Sequence, residues 1–184
     1  MRPLLVIACI VLVSACASTA AGTGETGVVR STTTVSGSTG TVILESYSDR
    51  GGAAFVVPAE VDRVWAALPA VYNQLGIPMG TSVPATRTYG NTSLQLGRTL
   101  AGKPVSAWLN CGEGPFGAPL ANSYRVVASI VTTLAPGANG QTQLRTMVNA
   151  TATNRGVSGA PVNCGTTGAL ETLIAERVRQ IVGS

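Results

Sequence analysis

Two alternating segments joined by an Asn-Gly turn constrain the fold of this 184-residue chain more than any other feature of its sequence. In SYRVVASIVTTL and TQLRTMVNATAT, one face carries mainly apolar residues at every second position, as in strands with one buried face. Their connection, APGANGQ, contains Asn139-Gly140, a strong hairpin signal. The sequence therefore predicts a long antiparallel hairpin whose apolar face is covered by helices. The apolar positions are Tyr124, Val126, Ala128, Ile130, Leu144, Val148, Ala150 and Ala152.

The opposite face of the same hairpin is polar. Its residues are Arg125, Ser129, Thr133, Arg145, Asn149 and Thr151. Arginine forms forked hydrogen bonds to carboxylates, so the acidic surface of another protein is a suitable partner for this face. We predict Arg125, Arg145 and Asn149 as partner-binding residues. The alternative is that the arginines only keep an exposed sheet face soluble.

Two segments have the spacing of amphipathic helices. The first follows Pro58, has acidic residues in its first turn, where the helix dipole favours them, and is ended by Gly76. The second closes the chain, and we expect Trp65 of the first to lie in the core. The apolar positions are Val61, Val64, Trp65, Leu68, Val71, Tyr72 and Leu75 in the first helix, and Leu170, Leu173, Ile174, Val178, Ile181 and Val182 in the second.

Shorter strands are predicted on both sides of the first helix. Thr41–Tyr47 and Ala53–Val57 are apolar runs joined by SDRGG, which predicts a second hairpin. Thr92–Leu100 alternates, and Val105–Cys111 is predicted as a strand that turns Trp108 to the face opposite its neighbours. The predicted fold class is therefore α+β with two layers, an antiparallel sheet of about five or six strands packed against two helices.

The N-terminus has the features of a secretory signal peptide. Arg2 precedes an apolar run over residues 3–13, and small residues follow at Ser14, Ala15 and Ala17. The run is about half as long as a membrane span, which needs roughly twenty apolar residues. The sequence therefore predicts export rather than a spanning helix.

The last residues of this segment, Val13–Cys16 (VSAC), resemble the bacterial lipobox, an aliphatic residue and two small ones before a cysteine. The resemblance implies that residues 1–15 are removed as a lipoprotein signal peptide and that the Cys16 thiol carries a diacylglycerol. The exported protein would then be held in the cell envelope by its lipid. In a cell with two membranes, Ala17 after the cysteine implies the periplasmic side of the outer membrane. The alternative is an ordinary signal peptide cut after one of the alanines.

The segment that follows the anchor, residues 16–40, is rich in Ser, Thr, Gly and Ala and has no persistent helical or strand period. It is predicted as a flexible tether with a root-mean-square reach of roughly 25–30 Å. The alternative is that part of it, mainly from Val35 onward, pairs as an edge strand. The rest of the chain, residues 41–184, has the length of a single domain.

Two cysteines remain outside the N-terminal segment, Cys111 and Cys164. An even pair in an exported chain usually forms a disulfide, which we predict here. The alternatives are a metal site or a reactive Cys111. Two thiolates without histidine make a poor zinc site, and Cys111 has no histidine to activate it.

Composition argues against several classes of function. The formal net charge of +4 is spread along the chain without a basic run interleaved with aromatic residues, which argues against nucleic-acid binding. The sequence contains no histidine, so the commonest general base and metal ligand is missing. A Ser106–Lys103 pair would point to opposite faces of a strand. We predict that the protein is not an enzyme and has no cofactor, metal or nucleic-acid partner.

One motif, GEGPFG at residues 112–117, has the glycine spacing of a dinucleotide-binding loop. Such a loop needs a helix directly after it to hold the pyrophosphate. Here Pro115 interrupts the segment, Glu113 adds a negative charge and a strand is predicted to follow. A nucleotide site is therefore not predicted.

The order of elements resembles the helix-grip arrangement, in which a curved antiparallel sheet holds a C-terminal helix. FVVPAEVDRVWAAL resembles the START and birch-allergen ligand domains, and VWAALPAVYNQLGIPMG followed by YGNTSLQL resembles the C subunit of the outer-membrane β-barrel assembly machinery. The resemblances imply two functions. The first is a non-catalytic envelope lipoprotein with a protein-interaction or structural role. The alternative is a carrier or sensor of a small apolar ligand held between the sheet and the C-terminal helix.

Overall fold

The computed structural model describes residues 28–37 and 40–49 as backbone, and residues 54–156 and 160–183 with side chains except that of Pro115. Its helices are α1 Val61–Gln74, α2 Leu120–Ser123 and α3 Ala169–Gly183. Its strands are β1 Val28–Gly37, β2 Gly40–Asp49, β3 Ala54–Val57, β4 Thr81–Val83, β5 Thr88–Leu96, β6 Thr99–Leu100, β7 Lys103–Pro104, β8 Leu109–Asn110, β9 Arg125–Pro136, β10 Thr142–Thr153 and β11 Val162–Thr166.

The predicted central hairpin is confirmed as β9 and β10, which pair without interruption from Thr142↔Pro136 to Thr153↔Arg125. It forms the middle of a seven-stranded sheet with the order β4-β5-β9-β10-β11-β8, in which β3 also pairs with β10. The strand pairs of this sheet are antiparallel. The α+β class is therefore confirmed, with seven strands rather than five or six. The third helix, α2, is a single turn.

The alternation along β9 and β10 decides which face of the sheet is buried. The buried positions on these strands include Val126, Ala128, Ile130, Leu134, Leu144, Val148, Ala150 and Ala152. Helices α1 and α3 cover this face and contact each other. Val64 and Leu68 of α1, and Ile174 and Val178 of α3, are fully buried. Burial of a side chain of this size typically contributes about 1.5–3 kcal/mol.

Helix α1 begins and ends close to the predicted positions. Asp62 in its first turn forms an ion pair with Arg87, and Gly76 beyond its end adopts φ +71°, the left-handed conformation that glycine accepts without strain. Trp65 is half-buried rather than enclosed in the core. Its ring packs edge-on against Tyr89, with 6.0 Å between the ring centroids.

A chain of hydroxyl groups crosses the core beneath α1. The Tyr72 and Thr132 hydroxyls share a hydrogen bond of 2.8 Å, and the Thr132 and Thr146 hydroxyls share one of 2.7 Å. All three residues are fully buried. Because each hydroxyl has a partner, the polar atoms are accommodated without the penalty of an unsatisfied buried group. The chain fixes α1 against the register of β9 and β10.

The predicted hairpin between Thr41–Tyr47 and Ala53–Val57 is wrong. Strand β2 pairs with β1, which lies inside the segment predicted as a tether, and β3 pairs with β10. The run Thr32–Val35 is rich in β-branched residues, which favour extended backbone. The segment around it is rich in Ser, Thr and Gly, and this linker-like composition led to the prediction of a tether instead of a strand. Strand β3 gains a long partner, since Phe55 lies opposite Leu144.

The prediction of a strand over Val105–Cys111 is also wrong for most of this segment. A 3-10 turn spans 105–107, and only Leu109–Asn110 forms a strand. Trp108 and Leu109 are both buried instead of lying on opposite faces. The Trp108 indole donates a hydrogen bond of 2.9 Å to the Leu100 carbonyl. This bond connects the 3-10 turn to the end of β6.

Candidate functional site

The polar face of the sheet is exposed, as predicted. Arg125, Arg145 and Asn149 all lie on it with exposed side chains. Asn149 is opposite Ser129 and Arg145 is opposite Thr133 in the hydrogen-bonded register. The helices lie on the other face, so this surface is not needed to cover the described core.

The structure does not bring the two predicted arginines together. Arg125 lies opposite Thr153, eight residues beyond Arg145 along β10. At about 3.3 Å per residue, the two backbones are about 26 Å apart. Asn149 lies midway between them. These residues therefore outline a long surface rather than a single pocket.

The surface between the arginines is partly apolar, and the strands of the seven-stranded sheet contribute no acidic residue to it. Val127 and Met147 on this face are 37% and 39% exposed. None of the seven strands described for this sheet contains an acidic residue. A partner surface with carboxylates at its rim and apolar groups at its centre complements this arrangement.

The predicted disulfide is confirmed. Cys111 and Cys164 are bonded, with an S–S distance of 2.03 Å and a separation of 53 positions in sequence. Both are buried, and the bond joins the end of β8 to β11, whose Gly165 pairs with Asn110. In this form neither sulfur is a thiolate, so neither acts as a nucleophile or a metal ligand.

The loop with the dinucleotide-like spacing has a different geometry from a nucleotide-binding loop. Residues 115–117 form a 3-10 turn in which Phe116 adopts φ +65°. The Gly114 amide donates to the Ala118 carbonyl at 2.8 Å. The next element is the four-residue helix α2. It is too short to provide the helix N-terminus at which a pyrophosphate binds.

A cleft that the sequence analysis missed lies at the end of α1. It is an open cleft of about 470 Å³, lined by Pro69, Asn73, Gly76, Ile77, Pro78, Met79 and Tyr89. Tyr89 lies at its base, packed edge-on against Tyr72 with 5.1 Å between the ring centroids. The end of α1, the segment that follows it and Tyr89 of β5 form this cleft, and a loop packed in this way leaves no periodic pattern in the sequence.

The space between the sheet and α3, where an apolar ligand was predicted, is occupied by side chains. Leu144 and Val148 of β10 and Ile174 and Val178 of α3 are each at most 1% exposed. Glu171 is also buried here, 1% exposed in the first turn of α3. The cleft at the end of α1 is a different site, because no residue of β10 or α3 is among its lining residues.

The predicted signal peptide, the lipid attachment site at Cys16 and the start of the tether lie outside the described residues. Within the described part of the chain, no helix has both the length and the apolar character to cross a membrane. The same part contains no group of three or more His, Cys, Asp or Glu side chains arranged to hold a metal ion.

No protein-family model matches the chain, and no curated protein matches it either.

Proposed function

We propose that the protein is an exported, non-catalytic lipoprotein, anchored to the cell envelope through Cys16 and acting by binding another envelope protein. The observation that carries the anchoring is the VSAC quartet, which follows an apolar run of the length of a signal peptide. The Cys111–Cys164 bond supports export, because disulfides persist mainly in oxidising compartments. In a cell with two membranes, the anchor would lie on the periplasmic side of the outer one.

The exposed sheet face supports the protein-binding role. It combines arginine, amide and hydroxyl groups with two partly exposed apolar side chains, Val127 and Met147. Protein interfaces commonly place apolar groups at the centre and polar groups at the rim, with arginine enriched. The partner we propose has an acidic, extended surface that reaches along β9 and β10 between Arg125 and Arg145.

A photo-crosslinking residue in place of Asn149 tests this role in intact cells. Asn149 is exposed and central on the face, so we expect a crosslink to an envelope protein. A crosslinker in place of Arg177, which is exposed on α3, is the control and should not give the same product. Changing Arg125 and Arg145 together to serine should weaken the crosslink, since both ends of the contact lose their charge.

The matched control for the double variant is Arg63→Ser with Arg177→Ser, two exposed arginines on the helices. Surface substitutions usually change stability by within about 0.5 kcal/mol, so both double variants should unfold close to the wild type. An unchanged crosslink in the Arg125, Arg145 variant would mean that these arginines only keep the face soluble.

A second candidate function is the binding of a small neutral ligand, and the cleft at the end of α1 supports it. Its volume of about 470 Å³ lies within the usual range for ligand sites, about 300–1,000 Å³. No Asp, Glu, Lys or Arg lines it, which favours an uncharged ligand. Native mass spectrometry of the protein isolated from cells tests this. A stoichiometric ligand that is lost in Met79→Lys would support a carrier, and its absence would favour the protein-binding role.

A further inference from the structure

Phe116 is presented to solvent in a conformation that costs free energy. Its side chain is 105% exposed, and its backbone adopts φ +65° and ψ +21°. A bulky residue in this left-handed region is uncommon, because the side chain approaches its own carbonyl group. A strained backbone that exposes a large apolar side chain calls for a functional explanation.

The loop around Phe116 is held firmly by the fold. Cys111, at its start, is bonded to β11 through Cys164. The Leu120 amide donates to the Gly112 carbonyl at 3.0 Å, and the Gly114 amide to the Ala118 carbonyl at 2.8 Å. Both ends of the loop are thus fixed, and the phenyl ring projects from a braced turn.

Four cations lie at the same end of the molecule. Arg125 begins β9, Arg155 follows the end of β10, and Arg98 follows the end of β5. Val126 is opposite Leu96 and Arg125 is opposite Thr153, so the three arginines lie at the same end of three adjacent strands. Lys103, in the β6–β7 hairpin that follows, lies over the Trp108 ring at 5.4 Å.

The charges at this end are unbalanced. Arg98, Lys103, Arg125 and Arg155 are all exposed, and none is in an ion pair among the described residues. Within residues 97–124, 152–156 and 160–165, the acidic residue is Glu113. The formal charge of these described segments together with Arg125 is therefore +3, whereas Glu60 and Asp62 lie at the opposite end, beside the β9–β10 turn and Arg87.

We propose that this end of the domain, with Phe116 at its tip, docks on an anionic lipid surface. Aromatic rings insert at the boundary between headgroups and acyl chains, and cations nearby are attracted to anionic headgroups. A single, fully exposed phenyl fits a fluid acceptor better than a protein pocket, because protein hot spots lie at the centre of a packed patch. The contact would orient the domain on the membrane and leave the sheet face along β9 and β10 accessible.

Apart from Arg125, the residues of this surface do not belong to the sheet face proposed to bind protein, and the docking can be wrong while the lipid anchor stands. The full chain isolated from membranes is reconstituted into vesicles of phosphatidylglycerol and phosphatidylcholine whose acyl chains are brominated. Because the wild-type chain already contains Trp65 and Trp108, its quenching is measured and subtracted. In Phe116→Trp, we expect the additional fluorescence from residue 116 to be quenched on anionic vesicles and much less on purely zwitterionic ones. Each cation near an anionic surface strengthens binding by roughly fivefold.

Two controls separate the contribution of the aromatic side chain at position 116 from that of the nearby arginines. Met79→Trp places an indole at another exposed apolar position, 66% exposed, and should not be quenched. Adding Arg98→Gln and Arg125→Gln to Phe116→Trp should lower the quenching on anionic vesicles to the zwitterionic level. Adding Arg63→Gln and Arg177→Gln instead, two exposed arginines on the helices, should leave it unchanged.

Three outcomes would overturn the proposal. If the chain floats with the vesicles but residue 116 is not quenched, the docking proposal is wrong and the lipid anchor stands. A crosslink from residue 116 to a protein in cells would then assign this end of the domain to a protein partner. If the chain does not float at all, both docking and anchoring are wrong. Equal quenching on anionic and zwitterionic vesicles, or no effect of the Arg98, Arg125 pair, would show that the cations do not contribute.

Discussion

Tyr72 shows how a single polar atom in the core makes stability depend on pH. Burial of the ring raises the pKa of the Tyr72 phenol well above its ordinary value, although the hydrogen bond with Thr132 opposes the shift. Above about pH 10, the phenol ionises in the unfolded chain but stays protonated in the folded one. The folded state then binds more protons, so the free energy of unfolding falls as pH rises.

The substitution Tyr72→Phe tests this account. At neutral pH we expect a loss of about 1 kcal/mol, the usual contribution of a buried hydrogen bond, while Thr132 keeps its bond with Thr146. Above about pH 10 the difference should narrow, because the variant lacks the ionising phenol. Urea unfolding of both proteins between pH 8 and pH 11 measures it. A difference that is constant across this range would contradict the role of burial.

At the scale of elements, Arg179 of α3 protects the short strand β3. Its Nε and Nη2 atoms donate hydrogen bonds of 3.2 and 3.0 Å to the Val56 carbonyl, and its guanidinium lies 5.8 Å from the centre of the Phe55 ring. Strand β3 has four residues and pairs with β10 on one side. The arginine therefore occupies an edge that would otherwise be open to pairing with another chain.

We predict that Arg179→Met increases hydrogen exchange of the β3 amides without changing exchange in β9. The global free energy of unfolding should fall by at most about 1 kcal/mol, since the bonds lie at an exposed edge. The matched control is Arg177→Met on the same helix, whose guanidinium contacts Gln180 and not β3. Equal exchange in the two variants would show that Arg179 does not hold the strand.

Elements with long periodic patterns were predictable from the sequence, and short ones were not. Strands β9 and β10 and helices α1 and α3 each carry enough apolar positions for their period to identify them. Strands β4 and β11 have three and five residues, and Gly165 in β11 is typical of loops. Their pairing depends on partners distant in sequence, such as Cys164 opposite Ala150, which local patterns do not specify.

The candidate sites divide in the same way. The exposed face with Arg125, Arg145 and Asn149 followed from alternation along two strands. The distance between Arg125 and Arg145 could be determined only from the pairing register of β9 and β10. The cleft beside Tyr89 and the exposure of Phe116 depend on how loops pack around the sheet, and no periodic pattern records that packing.

At the scale of the whole molecule, the Cys111–Cys164 bond closes the edge of the sheet where β11 meets β8. With the two cysteines 53 positions apart, the chain-entropy estimate of the contribution of the disulfide is roughly 4 kcal/mol. Cys111→Ala with Cys164→Ala should lower the free energy of unfolding by about this amount, measured by guanidinium unfolding. Reduction of the wild type should have a similar effect, and an unchanged midpoint after complete reduction would contradict it.

The central claim is that an exported, lipid-anchored chain begins at Cys16, and one measurement tests it most directly. The intact mass of the protein isolated from cell membranes should lack residues 1–15 and include a diacylglyceryl group, with acyl chains such as palmitate, at Cys16. Reduction should add the mass of one hydrogen at each of Cys111 and Cys164. A mass that retains residues 1–15, or one that begins after an alanine and carries no acyl group, would contradict the claim.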